Sequence, residues 1–414
     1  MNMPTRPPRL RPLPQSGKLR DVLYEIRGPV AARAAALEAE GHHILKLNIG
    51  NPAPFGFEAP QTILRDMLAA LPEASGYSDS RGLFSARRAI VSRYQDVPDF
   101  PRFDVDAVFL GNGVSELIMM VLSALLDTGD EVLIPAPDYP LWTAATSLAG
   151  GTPVHYRCDE QDGWQPSIED LTARITPRTK ALVVINPNNP TGAVYSRAVL
   201  DQLAQVAREH SLLLLSDEIY DRVLYDGAEH VSTAQVAPDL LVLTLNGLSK
   251  TYRVAGYRAG WLVITGPTAH ASGFLEGIEL LASTRLCPNV PGQHAIQAAV
   301  SGRQSIEELV APGGRLAEQR EVAWSMLNVM PGVSCVKPAG ALYVFPRLDP
   351  EVHEIRDDVR LCLDLLEQEH ILVVHGSGFN WPEPDHLRLV TLPGDWELRT
   401  ALERMGNFLA SYRQ

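Results

Sequence analysis

Cysteine is scarce in this chain, and its spacing excludes two common roles. The 414 residues contain four cysteines, Cys158, Cys287, Cys335 and Cys362. They are widely separated and form no C-x-x-C pair, so the sequence predicts neither a zinc site nor a disulfide framework. We therefore expect no metal ion, and a reducing cytoplasm is the location that fits this pattern best.

Long apolar runs and excess positive charge are also missing. No segment reaches the ~20 apolar residues that a membrane helix requires. The net charge of -13 argues against nucleic acid or a membrane surface as a partner, so an anionic ligand has to meet local arginines. The N-terminus is rich in Pro and Arg and lacks the apolar core of a secretory signal. We interpret residues 1–20 as a flexible tail.

Between residues 105 and 265, short apolar runs alternate with segments of helical periodicity. This alternation predicts an α/β domain in which helices cover both faces of a mostly parallel, seven-stranded sheet, giving three layers. Such sheets bind ligands at the carboxyl ends of their strands. The predicted strands are Ala107–Leu110, Glu131–Pro135, Pro153–Arg157, Ala181–Ile185, Leu212–Leu215, Leu240–Leu245 and Gly260–Ile264.

The rhythm changes after residue 305. A long helical stretch is followed by strand candidates at Gly332–Val336, Leu342–Phe345, Ile371–Val374 and His386–Val390, with a helix near Val359–Glu369. This order predicts a smaller α+β unit. We therefore expect a large domain over residues 61–305 and a small domain, with an N-terminal arm, over residues 21–60 and 306–414.

A glycine-rich turn follows the first predicted strand. The run Gly111-Asn-Gly-Val-Ser115-Glu precedes the apolar Leu117–Leu126, which indicates a turn that opens a helix. Free backbone N–H groups at a helix start suit a phosphate. On its own the segment is more typical of a plain strand-to-helix turn, because it is not a G-x-G-x-x-G motif and the chain has no Walker lysine.

Polar and aromatic residues follow other predicted strands. Tyr139, in Pro135-Ala-Pro-Asp-Tyr-Pro140, lies on a stiff loop and either stacks on a planar ligand or packs in the core. Asn186-Pro-Asn-Asn-Pro-Thr-Gly192 forms a rigid turn that exposes side-chain amides. Asp217 ends a very apolar run, so its carboxylate needs a cationic partner, for which a protonated pyridine nitrogen is suitable.

Lys250 lies in Asn246-Gly-Leu-Ser-Lys-Thr-Tyr-Arg-Val-Ala-Gly-Tyr-Arg258, directly after an apolar strand. A lysine that is partly desolvated and close to positive charge can form an imine near neutral pH. Arg258 supplies such a charge and can also grip a phosphate. As an isolated pair, the two residues are more typical of an ordinary protein surface.

The motifs N-P-x-N-P-T-G, D-E-x-Y, S-K-x-x-x-x-x-G-x-R and a late R-L together resemble those of fold-type-I pyridoxal-phosphate aminotransferases. The resemblance runs from about residue 20 to the C-terminus, and four motifs in order are far more specific than one. Within the family the chain is most similar to bacterial alanine (glutamate-pyruvate) aminotransferases. That similarity is carried by Ile26-Arg-Gly-Pro-Val30, Leu47-Asn-Ile-Gly-Asn-Pro-Ala-Pro-Phe-Gly-Phe57, Gly76-Tyr-Ser-Asp-Ser-Arg-Gly82 and Gly378-Phe-Asn-Trp-Pro382.

The resemblance implies how the cofactor ring, that of pyridoxal 5'-phosphate, is bound. Lys250 is the Schiff-base lysine, and Asp217 is the partner of the pyridine nitrogen. Asn189 and Tyr220 are the partners of the 3-hydroxyl oxygen. Tyr139 stacks on the face of the ring.

The resemblance also implies a phosphate site made from both chains of a homodimer. Arg258, Ser115, the backbone of Val114 and Ser249 hold the phosphate from one subunit. Tyr77 reaches it from a second subunit, so the active sites are shared.

One departure from the family pattern affects this phosphate site. Many relatives have a serine three residues before the lysine, where this chain has Gly247. We expect Ser249 or water to replace the missing hydroxyl.

For the substrate, the resemblance implies that Arg388 binds the α-carboxylate as a bidentate pair, with Gly50 and Asn189 beside it. A pocket for both alanine and glutamate must accept a methyl group and a distal carboxylate. A movable arginine that binds the distal carboxylate would meet both requirements. Arg27, with Tyr24 nearby, and Arg285 are candidates. Each arginine is equally typical of a surface or interface salt bridge.

The expected activity is exchange of the amino group between alanine and 2-oxoglutarate by a ping-pong mechanism. Other substrate preferences (aspartate, aromatic or branched-chain) and a lyase on the same scaffold remain open, because these enzymes share the same site residues. A transcription regulator with a transaminase-like sensor domain is disfavoured by the acidic balance and by the absence of an N-terminal helix-turn-helix segment.

Overall fold

The computed structural model describes residues 12–19, 22 and 28–414. Tyr24, Arg27 and most of the predicted tail therefore lie outside the described residues. In the described part, no helix is long and apolar enough to cross a bilayer. The strands are β1 (Leu45–Lys46), β2 (Val108–Gly111), β3 (Glu131–Ala136), β4 (Thr152–Asp159), β5 (Gln165–Pro166), β6 (Thr179–Ile185), β7 (Leu213–Asp217), β8 (Val242–Gly247), β9 (Gly260–Thr265), β10 (Val333–Ser334), β11 (Tyr343–Val344), β12 (Arg347–Leu348), β13 (Ile371–Leu372), β14 (Val374–His375) and β15 (Leu387–Val390).

Helices connect these strands and cover the sheet. They are α1 (Pro29–Ala39), α2 (Gln61–Ala70), α3 (Phe84–Gln95), α4 (Val114–Leu125), α5 (Leu141–Leu148), α6 (Ile168–Ala173), α7 (Arg197–His210), α8 (Thr233–Val236), α9 (Ser272–Thr284), α10 (Val290–Ser301), α11 (Ile306–Val310), α12 (Arg315–Asn328), α13 (Pro350–His353), α14 (Asp358–Glu369) and α15 (Asp395–Ser411).

The large sheet has the order β2-β9-β8-β7-β6-β3-β4-β5. All seven predicted strands are present and close to their predicted bounds, and the two-residue β5 adds an eighth at the edge. The strands from β8 to β4 are parallel, whereas β9 is antiparallel to both β2 and β8. The parallel strands have nearly continuous apolar sequences because helices bury them on both faces.

Successive residues of each central strand enter two different cores. Leu182 and Leu214 face a core shared with α2, α3, α7 and α10, whereas Val183 and Leu215 face one shared with α4 and α9. This is the period-two alternation expected of an extended chain. Helix α7 begins where predicted, because the Ser196 hydroxyl accepts a hydrogen bond from the Val199 N–H at 3.3 Å.

A third core joins residues 30–57 with residues 306–409. Strand β1 pairs in parallel with β13, and β15 lies between β11 and β14 in a three-stranded antiparallel sheet. Tyr220, Val223 and Tyr225 of the large sheet's connections also pack into this core. The domain limits at residues 60 and 305 stay a prediction, but the two ends of the chain do share one core.

Candidate active site

A cavity of about 290 Å³ lies at the carboxyl ends of β6, β7 and β8, where the large sheet meets the third core. Its walls come from loops after these strands, from the start of α4, and from the segments around residues 48–50, 343 and 388. Eleven of the residues singled out from the sequence line it: Gly50, Val114, Ser115, Tyr139, Asn189, Asp217, Tyr220, Ser249, Lys250, Arg258 and Arg388.

Lys250 follows β8 by three residues and points its amine into this cavity. The Nζ atom donates a hydrogen bond to the Gly50 carbonyl at 2.7 Å and lies 5.7 Å from the centre of the Tyr220 ring. The side chain is only half-buried. It is therefore shielded from bulk water on one side and reachable by a ligand on the other.

Asp217, the last residue of β7, is the buried carboxylate of the site and is 3% exposed. Burial raises its pKa to about 6, although hydrogen bonds from Trp142 Nε1 at 3.2 Å and from the Ile219 N–H at 3.3 Å act in the opposite direction. Both of these donors are neutral, and the charge of Lys250 also lowers the pKa but does not offset burial, so the carboxylate is only partly compensated. A cationic ring nitrogen in the cavity would supply the missing partner, which is the property that pyridoxal phosphate brings.

The start of α4 forms an anion cradle beside Arg258. Gly113 precedes the helix with φ of 80°, a backbone conformation that glycine adopts without strain, and a Cβ there would collide with the Arg258 guanidinium. The guanidinium is held by the carbonyls of Ala255 at 2.9 Å and Asn112 at 3.0 Å. Backbone N–H groups, Ser115 and this guanidinium together suit a phosphate dianion.

Gly247 is absent from the cavity wall, and the sheet explains why. It lies in β8 opposite Gly260, which in turn pairs with Gly111 of β2. A Cβ on Gly247 would lie 2.9 Å from the Ala259 carbonyl oxygen and 3.0 Å from the Gly260 Cα. The close backbone approach therefore leaves no room for the serine of many relatives, and Ser249 is the hydroxyl that lines the cavity.

Arg388 is held by two aromatic rings and by two hydrogen bonds. Its Cζ atom lies 4.6 Å from the centre of the Phe379 ring and 4.7 Å from that of Tyr343. The Nη1 atom donates to Asn189 Oδ1 at 3.4 Å, and Nη2 donates to the Asn48 carbonyl. Strand β15 carries this residue to the edge of the cavity, where a planar fork matches a carboxylate.

Tyr343 is a site residue that sequence reasoning missed. Its hydroxyl is 2.6 Å from that of Tyr220, and its ring lines the cavity. Burial acts to raise the pKa of Tyr343, but the charges of Lys250 and Arg388 lower it. The sequence predicted only a buried strand here, and no local motif distinguishes this tyrosine from a core residue. Trp142, the partner of Asp217, was missed for the same reason.

Tyr77 and Arg285 do not line the cavity of their own chain. Tyr77 is 82% exposed and lies beside residues 287–290 in a shallow surface depression. Arg285 pairs with Glu116 at 3.1 Å and donates to the Leu110 carbonyl at 2.8 Å. These contacts hold Arg285 at the start of α4, and its role as a substrate selector stays a prediction.

The cavity and the doubly covered sheet define a class of protein, and sequence comparison gives the same class. The family model for aminotransferase class I and II matches residues 42–405, and the chain belongs to that family. It is a pyridoxal-phosphate-dependent aminotransferase.

Among its relatives, the alanine aminotransferase of Mycobacterium tuberculosis is 72% identical over 98% of this chain and 95% of its own length. The glutamate-pyruvate aminotransferase of Escherichia coli is 56% identical over 98% and 100%.

Solved structures agree with the sequence relatives. An aminotransferase from Escherichia coli, 57% identical, superposes with a TM-score of 0.95 over 98% of this chain and 100% of the other. The alanine aminotransferase of Pyrococcus furiosus, 39% identical, gives a TM-score of 0.89 over 96% and 99%. The predicted fold class, enzyme class and cofactor are thereby confirmed.

Proposed function

We propose that this protein exchanges the amino group between alanine and 2-oxoglutarate, which gives pyruvate and glutamate. The observation that carries the chemistry is the convergence of an amine, Lys250, a buried carboxylate, Asp217, and a carboxylate-binding guanidinium, Arg388, on one cavity. The choice of alanine and glutamate is supported by the names and high identity of the two bacterial relatives.

Several residues of the cavity would contact the cofactor ring. When bound, pyridoxal phosphate supplies an electron sink for the bond that breaks at the substrate α-carbon. Lys250 would anchor the cofactor, and its amine, which lies in the cavity, is the group that would take the proton from that carbon. Asp217 would keep the ring nitrogen protonated, and Asn189 and Tyr220 would donate to the oxygen at ring position 3. Tyr139 covers the ring face.

The phosphate and the substrate are held at opposite ends of the cavity. Val114 N–H, Ser115, Ser249 and Arg258 bind the phosphate, where the helix start and the guanidinium add positive potential. Arg388 forms a two-point pair with the substrate α-carboxylate and thereby fixes which bond is presented to Lys250. Gly50 closes this end through its backbone.

The same site must serve two substrates in turn, so the kinetics are ping-pong. Arg27 and Tyr24 are the candidates for reading the distal carboxylate of glutamate. Apart from the phosphate-binding and α-carboxylate-binding arginines, no arginine of the described residues lines the cavity. This distribution supports a selector from the N-terminal segment.

A panel of amino donors against pyruvate and 2-oxoglutarate tests the proposal. We expect alanine with 2-oxoglutarate, and glutamate with pyruvate, to give the highest kcat/KM, with parallel lines in double-reciprocal plots and no release of ammonia. Lys250→Ala is the matched control and should lose both turnover and the visible absorbance of bound cofactor. A preference for aspartate, aromatic or branched-chain donors, or formation of ammonia, would contradict the assignment.

We also propose a homodimer in which Tyr77 completes the partner's phosphate site. Tyr77 has large exposed apolar neighbours in nearby segments, Phe84, Leu280 and Leu286, at 57%, 67% and 54% exposure. Large exposed apolar side chains are typical of protein interfaces when they lie together. The four free cysteines support a reducing location, for which we propose the cytoplasm.

Mixing two inactive or weakened variants tests the sharing of sites. With Tyr77→Phe and Lys250→Ala chains refolded together, a shared site restores one wild-type active site in each mixed dimer. Activity should then rise above that of either variant alone, toward a quarter of the sites in a random mixture. No rise on mixing would show that Tyr77 serves its own subunit.

A further inference from the structure

A buried carboxylate beside the cavity has no part in the reaction described so far. Asp138 precedes Tyr139 in the loop between β3 and α5, and it is 0% exposed. The Thr143 hydroxyl donates to its Oδ2 at 2.7 Å, and the Asn380 amide donates to its Oδ1 at 2.7 Å. Both donors are neutral, and burial raises the pKa of Asp138 to about 7. A buried carboxylate without a cation is a poor source of stability.

The contacts of Asp138 join the large sheet to the segment just before β15. Besides the bond from the Asn380 side chain, the Asp138 N–H donates to the Phe379 carbonyl at 3.0 Å. Asp138 therefore holds two consecutive residues of the segment between β14 and β15. Asn380 has φ of 58°, which asparagine and glycine tolerate better than other residues. The amide is thus placed by an unusual backbone conformation that serves this contact.

Phe379 is one of two aromatic rings that pack against the Arg388 guanidinium. The centre of the Phe379 ring lies 4.6 Å from Arg388 Cζ, and the centre of the Tyr343 ring lies 4.7 Å from it. These two rings hold the guanidinium in place together with the hydrogen bonds to Asn189 and to the Asn48 carbonyl. A shift of Phe379 therefore disturbs one of these supports, and misplacement by about 1 Å is enough to reduce catalysis strongly.

We propose that Asp138 is a positioning residue for the substrate carboxylate, because it holds Asn380 and Phe379 so that Arg388 presents its guanidinium in a fixed orientation. The inference rests on the proposed role of Arg388. Since Asp138 also adjoins Tyr139, one side chain links the part of the site that covers the cofactor ring to the part that binds the substrate.

The holoenzyme variants Asn380→Gly, Asn380→Asp and the exchange pair Asp138→Asn with Asn380→Asp test this role. Asn380→Gly deletes the amide without straining the backbone. Asn380→Asp replaces the amide donor with a second carboxyl, which cannot donate when ionised and repels an ionised Asp138. The exchange pair restores an amide and a carboxylate in swapped positions. Asp226→Asn is the matched control, since Asp226 pairs with Arg320 of α12 at 2.7 Å, away from Arg388.

We expect Asn380→Gly and Asn380→Asp to raise KM for both substrates by about ten-fold, with a smaller change in kcat and unchanged cofactor affinity. The exchange pair should recover to within about three-fold of wild type, and Asp226→Asn should match wild type. Calorimetry with succinate, which binds without reacting, should show the same order of affinities, with Arg388→Ala as the variant that does not bind.

Two results would overturn the inference: unchanged KM and succinate affinity in both single variants, or an exchange pair no better than Asn380→Asp. A purely structural role would lower thermal stability and kcat without this selective loss of carboxylate affinity. Failure of the wild type to exchange alanine with 2-oxoglutarate would contradict only the proposed substrates, because the succinate measurement does not depend on them.

Discussion

The buried carboxylate of Asp217 gives the sharpest quantitative prediction. In the protein freed of its cofactor, Asp217 has two neutral hydrogen-bond donors and a pKa raised from 3.8 to about 6 by burial. Ionising it in the folded chain is therefore about 3 kcal/mol less favourable than in water. Asp217→Asn removes that charge and changes little in shape.

The sign of the pH dependence follows from proton binding. Between pH 3.8 and about 6 the folded state holds the Asp217 proton while the unfolded state has lost it. Stability contributed by this group is therefore fully present below the lower value, falls as pH rises, and reaches its full loss of about 3 kcal/mol above the higher one. Asp217→Asn should be free of this fall.

Urea unfolding of the cofactor-free wild type and Asp217→Asn, measured from pH 4 to 8 in steps, gives the difference between their free energies of unfolding. Asparagine has one acceptor fewer, so either Trp142 or Ile219 loses a partner, at a cost of about 1–3 kcal/mol that does not vary with pH. The test is therefore whether the difference between the two free energies of unfolding changes with pH. A difference that stays constant over this range would refute the reasoning.

Bound cofactor should favour the wild type over Asp217→Asn. A cationic ring nitrogen pairs with ionised Asp217 and relieves the same penalty, so Asp217→Asn should weaken cofactor binding by about 100-fold, the equivalent of about 3 kcal/mol. Equilibrium titration with the cofactor, followed by its visible absorbance, measures this loss. An unaltered dissociation constant would mean that the nitrogen has another partner.

Three further substitutions follow from the site geometry. Arg388→Lys keeps the charge but loses the planar fork, so KM for alanine and for 2-oxoglutarate should rise about 100-fold with unchanged cofactor absorbance; equal KM values would count against the carboxylate role. Tyr343→Phe removes the 2.6 Å contact with Tyr220 and should lower kcat/KM about ten-fold without loss of folding, whereas full activity would make the contact irrelevant. Gly247→Ser forces a Cβ to within 3.0 Å of Gly260 Cα and should lower stability by about 1–3 kcal/mol in thermal unfolding; a variant as stable as wild type would disprove the steric explanation.

The sequence predicted the large sheet well because its strands are buried on both faces and therefore form short apolar runs. The short apolar runs and the Ser196 cap are local signals, and each appears in the structure near its predicted position. The edge strand β5 was missed since two residues, Gln165 and Pro166, carry no periodic pattern.

The cavity residues that lie within motifs were also found from sequence, whereas those that act through distant contacts were not. Trp142 looks like any apolar residue on the inner face of α5, and only the folded chain brings its N–H to Asp217. Asp138 was not singled out from the sequence, because nothing in its loop indicates a contact with Asn380, which lies 242 residues further along the chain. The reason for Gly247 required the register of β8 against β9, which sequence periodicity does not fix.

The contact between Arg388 and the Asn48 carbonyl joins residues 340 positions apart, and β1 finds its only strand partner of the described residues in β13. Every strand of the large sheet, with Lys250 and Asp217, therefore leaves the ribosome before Arg388 does, and domains generally fold in the order of synthesis. The residues that would anchor the cofactor are thus made first, and the guanidinium that would select an amino acid joins them only near the end of translation.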